Sequence, residues 1–400
     1  MRDRKEDPDA LGVYVHFPWC LKKCPYCDFL SVARERSTIP HAAYADAVLA
    51  ELHARRRTLA APRIASIFFG GGTPSLWEPN ELGRVLAEIL AAFDARASDV
   101  EITVECNPTS FDVERGRALA AVGVNRVSLG VQGLDAQRLA FLGRLHDVDG
   151  GLTAVRAALA SGVNRVSADF IFGVSGQAPD AAAREARMLA ELGTTHLSAY
   201  ALTIEPGTQF GALAQKGRLP LLDDGAVADS FAAVESTLEA AGFEHYEISN
   251  YARNGERSLH NLGYWRGRSY LGLGCGAFGT LTRAGTRYRY RNTPSPERYL
   301  DATRQWPDAE LFREGGLIAS YEVITPATAL VEQILLGLRL ADGIDIDECA
   351  ARLGAQAWPA ERLRARERLT RSGDLIDDAQ RLRIPRSSWL FADRIIRELI

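Results

Sequence analysis

The 400-residue sequence lacks a long apolar segment, an apolar leader and any marked excess of positive charge. No run of apolar residues is long enough to cross a bilayer, and the segment from Met1 to Ala10 is charged, without the apolar stretch of a secretory signal. We therefore expect a soluble, cytosolic protein. The formal net charge of -4 and the pI of about 6.0 argue against a protein that mainly binds nucleic acid.

Cysteine is scarce as well, yet three of the six cysteines fall close together. The segment CLKKCPYC, which carries Cys20, Cys24 and Cys27, has the spacing C-x3-C-x2-C. Three thiolates at this spacing can bind a [4Fe–4S] cluster and leave one iron open for a chelating ligand. A structural zinc site is the alternative, with His16 as the candidate fourth ligand, although His16 falls in an apolar strand pattern. The sequence gives no such role to the other cysteines, which are Cys106, Cys275 and Cys349.

Hydrophobic residues make up 46% of the chain, enough for a sizeable core. Between residues 12 and 252, short apolar runs alternate with amphipathic helical patterns, which is typical of a parallel sheet with crossover helices. The predicted strands are Val13–Phe17, Ile64–Phe69, Val100–Glu105, Arg126–Val131, Arg165–Phe172 and His196–Thr203. The sequence Gly-Val-Asn-Arg-Val-Ser occurs at 123–128 and again at 162–167, a period that matches one βα unit. Six such units predict an α/β fold, either an open partial barrel or a doubly wound sheet.

The order of these patterns divides the chain into parts. We predict a tail over 1–11, a core domain over 12–252, a connecting region over 253–325 and a C-terminal domain over 326–400. Residues 246–280 are rich in Gly, Tyr and Asn and indicate ordered loops. Beyond residue 326, helical patterns precede two short strand patterns, an order that resembles a small winged-helix-like domain. Its arginines are interleaved with glutamates, so we expect it to pack or to bind a partner rather than DNA.

Polar residues follow the predicted strands at the edge where a parallel sheet binds its ligands. Glu105 closes one strand, Gln132 follows the next, and Asp169 lies late in a third. The turn Gly70–Thr73 follows another strand and lacks both the lysine of a Walker loop and the dinucleotide fingerprint. Its glycines let the backbone approach a ligand closely. Each feature alone has a structural explanation, but together they favour a binding site at this edge.

Taken in order along the chain, these motifs resemble the HemN/HemW family of radical S-adenosylmethionine (SAM) proteins. The segments that carry the resemblance are Tyr14–Cys20, the cysteine segment, Gly70–Pro74, Glu105–Pro108, Ser128–Gln132, Leu142–Arg144 and Asp169–Gly173. The resemblance implies a radical SAM partial (β/α)6 barrel with a small, mainly helical C-terminal domain. It also implies a SAM site, with one or two SAM molecules left open, lined by Tyr14, Tyr26, Gly71, Gly72, Thr73, Glu105, Gln132, Arg144, Asp169 and Ala201.

The family has two branches, coproporphyrinogen III dehydrogenases and haem chaperones, and three features favour the chaperones. Phe29 stands where the dehydrogenases carry a fourth cysteine, and little chain precedes Tyr14. The segment His260–Trp265 matches the HNxxYW motif of the chaperone branch, which implies His260 as a ligand of haem iron. Phe278 occupies a position where the family often has a second histidine.

We therefore expect a haem chaperone that keeps a cluster and SAM and passes haem to haem-requiring proteins. The expected recipients are respiratory proteins, some of them membrane-associated, and a homodimer is left open. The alternative is an oxygen-independent coproporphyrinogen III dehydrogenase that acts through a 5′-deoxyadenosyl radical. A protein that binds nucleic acid by its charge is a distant third.

Overall fold

A twelve-stranded sheet runs through the protein in a computed structural model that describes residues 10–400 apart from 58, 60, 61, 284, 306–315 and 379. The predicted tail over 1–11 therefore lies almost wholly outside the described residues. The strands are β1 (Leu11–Phe17), β2 (Ile64–Gly71), β3 (Glu101–Cys106), β4 (Arg126–Gln132), β5 (Arg165–Phe172), β6 (His196–Ala201), β7 (Glu244–Glu247), β8 (Asn250–Ala252), β9 (Tyr270–Leu273), β10 (Phe278–Arg283), β11 (Thr286–Asn292) and β12 (Ile318–Ile324). Their order across the sheet is β12-β11-β10-β9-β1-β2-β3-β4-β5-β6-β8-β7.

Strands β1 to β6 are parallel neighbours and correspond to the six predicted strands, with ends that differ by two residues or fewer. They form the α/β partial barrel that the sequence predicts. Side chains alternate between the faces of each strand. In β3, Ile102 and Val104 pack into the main hydrophobic core, whereas Glu101 and Glu105 hydrogen-bond groups from other parts of the chain. The inner face of the barrel is therefore rich in polar groups.

Helices alternate with the barrel strands and pack on their apolar outer face, and further helices lie in the connecting and C-terminal parts of the chain. They are α1 (His41–Arg56), α2 (Pro79–Ala92), α3 (Val113–Ala121), α4 (Ala136–Phe141), α5 (Val148–Leu159), α6 (Pro179–Glu191), α7 (Gln209–Gln215), α8 (Asp224–Ala240), α9 (Leu259–Trp265), α10 (Pro296–Gln305), α11 (Pro326–Gly337), α12 (Ile346–Leu353), α13 (Ala360–Ser372) and α14 (Ala392–Leu399). Helices α3, α5 and α8 each begin at an aspartate whose side chain accepts a hydrogen bond from the first turn. No described helix combines the length and apolar character needed to cross a membrane.

The prediction of ordered loops over 246–280 is wrong. This segment contains β8, α9 and β9, and β10 begins within it. Helix α9 is short and contains a glycine, so its helical pattern is weak. Strand β9 extends the barrel sheet by pairing with β1 in parallel, and β10, β11 and β12 continue it antiparallel.

The C-terminal elements have a hydrophobic core of their own, which includes Leu330, Ile346, Leu369 and Ile395. Helices α11 to α13 precede a hairpin of two short strands, β13 (Ile376–Asp377) and β14 (Leu382–Arg383). Helix α14 follows the hairpin. This matches the predicted small, mainly helical unit. The exact domain boundaries at 252, 325 and 326 stay a prediction.

Candidate cluster and cofactor site

The three clustered cysteines lie on a loop that leaves the carboxyl end of β1. A two-residue strand, Trp19–Cys20, pairs with Val32–Ala33 and closes this loop at its base. Within the loop, the Cys27 amide donates to the Cys24 carbonyl at 3.2 Å. All three thiols are free and half-buried, so a metal centre can reach them. In the described part of the chain no three His, Cys, Asp or Glu side chains surround a single point where one ion would sit. A cubane cluster does not require this, because each thiolate binds a different iron.

Two side chains from other elements contact these sulfurs. Thr73 Oγ1 lies 3.3 Å from Cys20 Sγ, and Arg144 Nη1 lies 3.5 Å from Cys24 Sγ. Burial raises the pKa of Cys20, and burial also raises the pKa of Cys27 to about 11. Thiols in such surroundings deprotonate when they bind metal. Donors and a cation near the sulfurs suit an anionic iron–sulfur centre, so the residues fit the implied cluster.

The glycine turn holds the base of the cysteine loop. The Gly72 amide donates to the Phe17 carbonyl at 2.7 Å, and the Thr73 amide donates to the Trp19 carbonyl at 2.8 Å. A Cβ at Gly72 would lie 2.6 Å from the Trp19 carbonyl oxygen, and Gly71 has a positive φ of 108°. The sequence predicted that these glycines admit a ligand. The structure shows that they also let two chain segments approach each other.

Two buried carboxyl groups lie inside the barrel near this turn, and the charge of one acts on the other. Glu105 accepts a hydrogen bond from the Gly71 amide at 3.1 Å, and Asp169 accepts one from Ser128 Oγ at 3.0 Å. Burial and the nearby Asp169 raise the pKa of Glu105 to about 8, and burial raises the pKa of Asp169. Repulsion between them would fall if a cationic group bound there, as the ammonium or sulfonium of SAM can.

The remaining SAM candidates lie around the same end of the barrel. Gln132 ends β4 with a φ of 68°, a left-handed conformation that is unusual for a residue with a side chain. Arg144 Nη2 donates to the Gly130 carbonyl at 2.6 Å. Tyr26 packs beside Phe210 with ring centroids 6.4 Å apart, and Ala201 is the last residue of β6. No contact joins Ala201 to the carboxyl pair in the described residues.

His16 has a role that the sequence did not reveal. Its Nδ1 lies 2.9 Å from the Tyr14 hydroxyl and its Nε2 lies 2.9 Å from the Leu30 carbonyl. Burial lowers the pKa of His16 to about 4, so the ring is neutral. His16 thus links a SAM candidate on β1 to the far end of the cysteine loop. The alternation of Gly12, Tyr14 and His16 along one strand face was the signal available for this role.

His260 lies at the opposite end of the barrel, near the amino ends of the strands. It belongs to α9 rather than to a loop and is buried. Its Nδ1 lies 2.8 Å from Ser66 Oγ and its Nε2 lies 3.0 Å from the Tyr264 hydroxyl, so both ring nitrogens are engaged. The ring stacks on Phe68 at 4.9 Å, and the His260 amide donates to Glu101 at 2.9 Å. Its assignment as a haem ligand stays a prediction.

Two recesses correspond to these two ends. One of about 280 Å³ lies beside the cysteine loop, with Lys22, Cys24, Thr73, Asn107 and Arg144 among its lining residues. The other, of about 260 Å³, lies beside His260, with Gly12, Ser66, Tyr264 and Tyr270 among its lining residues. The site candidates therefore fall into two groups, and only His260 is far from the cysteine loop.

Comparison with known proteins agrees with this arrangement. Residues 14–189 match the model of the radical SAM superfamily, and residues 324–391 match the HemN C-terminal domain. The heme chaperone HemW of Mycobacterium tuberculosis is 34% identical over 97% of this chain and 94% of that protein. The heme chaperone HemW of Haemophilus influenzae is 38% identical over 72% of this chain and 76% of that protein.

A solved structure with a similar fold is the coproporphyrinogen III oxidase HemN of Escherichia coli. It has a TM-score of 0.78 and 20% identity, and the match covers 99% of this chain and 91% of that one. This likeness confirms the radical SAM fold and carries no conclusion about the reaction.

Proposed function

Because the chain belongs to the HemW family of radical SAM proteins, we propose that it is a haem chaperone, which binds haem beside a SAM-liganded [4Fe–4S] cluster. The observation that carries this proposal is the match to a protein named heme chaperone HemW over 97% of this chain. The role of the chaperone is to deliver haem to haem-requiring proteins.

Within this function, Cys20, Cys24 and Cys27 are the cluster ligands. Thr73 and Arg144 donate to two of the sulfurs and so stabilise their negative charge. His16 holds the loop in place through the Leu30 carbonyl. A cluster bound there supplies one-electron chemistry.

SAM is held at the same end of the barrel. Glu105 and Asp169 attract its cationic groups, and the Gly71–Thr73 turn presents backbone to its amino-acid part. Tyr14, Tyr26, Gln132, Arg144 and Ala201 complete the proposed lining. Because Glu105 is protonated at neutral pH when the site holds no cation, binding a cation there would release its proton.

Delivery requires recipients, which we propose to be respiratory proteins, some of them membrane-associated. We place the chaperone in the cytoplasm and leave a homodimer as a state to be measured. The family motif implies His260 as a ligand of haem iron, a role that would require its hydrogen bond with Ser66 or with Tyr264 to break, and the His260 variant described below decides between this role and a structural one.

A paired experiment distinguishes the chaperone from the dehydrogenase. Protein reconstituted without oxygen is titrated with haem, followed by the Soret band, and is incubated separately with coproporphyrinogen III, SAM and a reductant. The chaperone predicts saturable haem binding, transfer to a haem-free recipient and no decarboxylation. Production of protoporphyrinogen would overturn the proposal. A His260→Ala variant, beside His146→Ala as a buried histidine control, tests the ligand assignment.

A further inference from the structure

One exposed phenylalanine of the cysteine loop lies near an exposed phenylalanine and an arginine at the carboxyl-terminal edge of the sheet. We call Phe29, Phe278 and Arg291 the mouth patch. Phe278 begins β10 and pairs across the sheet with Arg291 of β11. Because β9 is parallel to β1 and β10 is antiparallel to β9, the first residue of β10 lies at the edge where β1 ends. This is the edge from which the cysteine loop leaves.

The apolar part of the patch is open to solvent. Phe29 is 61% exposed and Phe278 is 43% exposed, although both are large aromatic side chains. A Cβ at Gly276 would lie 2.1 Å from Leu30 Cδ2, so Leu30 packs directly on the turn that precedes β10. This contact fixes the Phe29 segment beside the Phe278 segment. Exposed apolar surface next to a candidate site is a mark of ligand binding.

The charged part of the patch has no carboxylate partner within the described residues. The Arg291 guanidinium lies 5.0 Å from the centre of the Phe278 ring, and its Nε has no hydrogen-bond partner. Arg291 has no ion pair in the described part of the chain, whereas Arg289, two residues earlier, pairs with Glu332 at 2.7 Å. Lys23 adds a second cation, with its Nζ 3.1 Å from the Phe29 carbonyl. The surface thus combines aromatic faces with available positive charge.

We infer that the haem carried by this protein lies in the mouth patch, with its ring plane against Phe29 and Phe278 and a propionate paired with Arg291. This inference rests on the proposed haem chaperone function and gives it a binding surface. A flat apolar macrocycle with two carboxylates complements aromatic rings beside unpaired cations. The patch is also open, which suits a cargo that must be released to a recipient.

The His260 end of the barrel is a poorer fit for the same ligand. At that end the His260 ring is buried, and Phe68 already stacks on its face at 4.9 Å. Both nitrogens of His260 are already hydrogen-bonded. In this placement His260 instead joins α9 to β2 through Ser66 and supports the barrel floor.

Haem titration of matched variants tests the placement. Phe278→Ser should weaken haem binding about tenfold, because it removes one aromatic face. Phe391→Ser is the control, since Phe391 is 54% exposed and also lies under an arginine, Arg394, but belongs to the C-terminal elements. Arg291→Gln should weaken binding while Arg291→Lys restores most of it, and Arg283→Gln, at the far end of β10, should have no effect. Thermal unfolding of each variant shows whether the fold is kept.

Titration with haem dimethyl ester, in which the propionates carry no charge, distinguishes a specific propionate contact from a general loss of charge on the protein. The wild type should bind the ester at least as weakly as Arg291→Gln binds haem, and the loss caused by Arg291→Gln should be much smaller with the ester than with haem. Additive losses, or unchanged haem affinity in Phe278→Ser, would overturn the placement alone. A wild type that binds no haem would overturn the proposed function, and the placement with it.

Discussion

The three loop cysteines differ from Cys349 in their neighbours rather than in their exposure, since all four are half-buried. The sulfur of Cys349 lies 3.8 Å from Arg352, among charged side chains, whereas the loop cysteines lie close to one another. The spacing C-x3-C-x2-C was therefore enough to predict that the three thiols lie close together, because a short loop keeps them together whatever the rest of the chain does.

We expect Cys24→Ala to lose most of its iron and sulfide, because two remaining thiolates cannot hold a cluster in a half-exposed loop. Cys349→Ala should keep both. Iron and sulfide are measured after anaerobic purification, with the visible absorption of the cluster as a second readout. A full cluster content in Cys24→Ala would contradict the assignment.

Glu105 makes stability depend on pH. Its pKa is raised from 4.5 to about 8, so between these values the folded protein holds a proton that the unfolded chain releases. The contribution of Glu105 to the free energy of unfolding should therefore fall as pH rises from about 5 to about 8, so the stability of the wild type relative to that of Glu105→Gln should fall over the same range. Urea unfolding of both proteins across this range, without added SAM, measures the difference.

The exposed Glu361 offers a control for this experiment. Glu361→Gln should follow the pH dependence of the wild type. A wild-type curve that stays parallel to that of Glu105→Gln over the whole range would show that the Glu105 carboxyl does not titrate as proposed.

At the scale of elements, the glycine turn holds the base of the cysteine loop and also borders the proposed SAM site. The sequence could not distinguish these two roles. The Gly72 and Thr73 amides of the turn hold Phe17 and Trp19 at the base of the cysteine loop, and its Gly71 amide donates to Glu105 in the proposed SAM site. The composition of the turn indicates close approach, but whether a ligand or the chain itself approaches depends on packing between distant segments.

Gly72→Ala should disturb the cysteine loop, because the added Cβ would lie 2.6 Å from a backbone oxygen that cannot move freely. We expect lower cluster content and a loss of stability of about 2 kcal/mol. Gly263→Ala is the matched control, since its nearest neighbour is a side-chain atom at 3.8 Å. Equal cluster content in the two variants would show that the turn tolerates a side chain.

The sequence predicted β1 to β6 well because each is a short apolar run followed by a helix of clear periodicity. It missed β11 and β12 for a physical reason. The segment Thr286–Asn292 alternates Arg and Tyr, and in β12 most residues are exposed, so neither forms an apolar run. The strict alternation in β11 was a strand signal, and recognising it would also have brought Arg291 into view.

For the whole molecule, the attachment of the connecting region to the barrel depends on contacts between distant residues. Glu51 of α1 is fully buried and accepts hydrogen bonds from the Gly274 amide and from the Tyr299 hydroxyl. Arg55 donates to Glu51 at 2.6 Å and to Asn292 at 2.8 Å. Sequence spacing reveals the pairing of Glu51 with Arg55 within a helix turn, but not their partners more than two hundred residues away.

Breaking this network should destabilise β11 together with the turn that precedes β10, which lies beside the cysteine loop. Arg55→Ala leaves the Glu51 carboxylate buried without its cation, and we expect a loss of about 3 kcal/mol in the free energy of unfolding. Arg84→Ala removes an exposed arginine with two carboxylate partners and should cost less than about 1 kcal/mol. Hydrogen exchange should then show faster exchange over 270–292 in Arg55→Ala only.

The double variant Glu51→Gln with Arg55→Met, which buries no charge, should recover part of the stability. If Arg55→Ala and Arg84→Ala lose the same small amount, the buried pair does not hold the connecting region to the barrel.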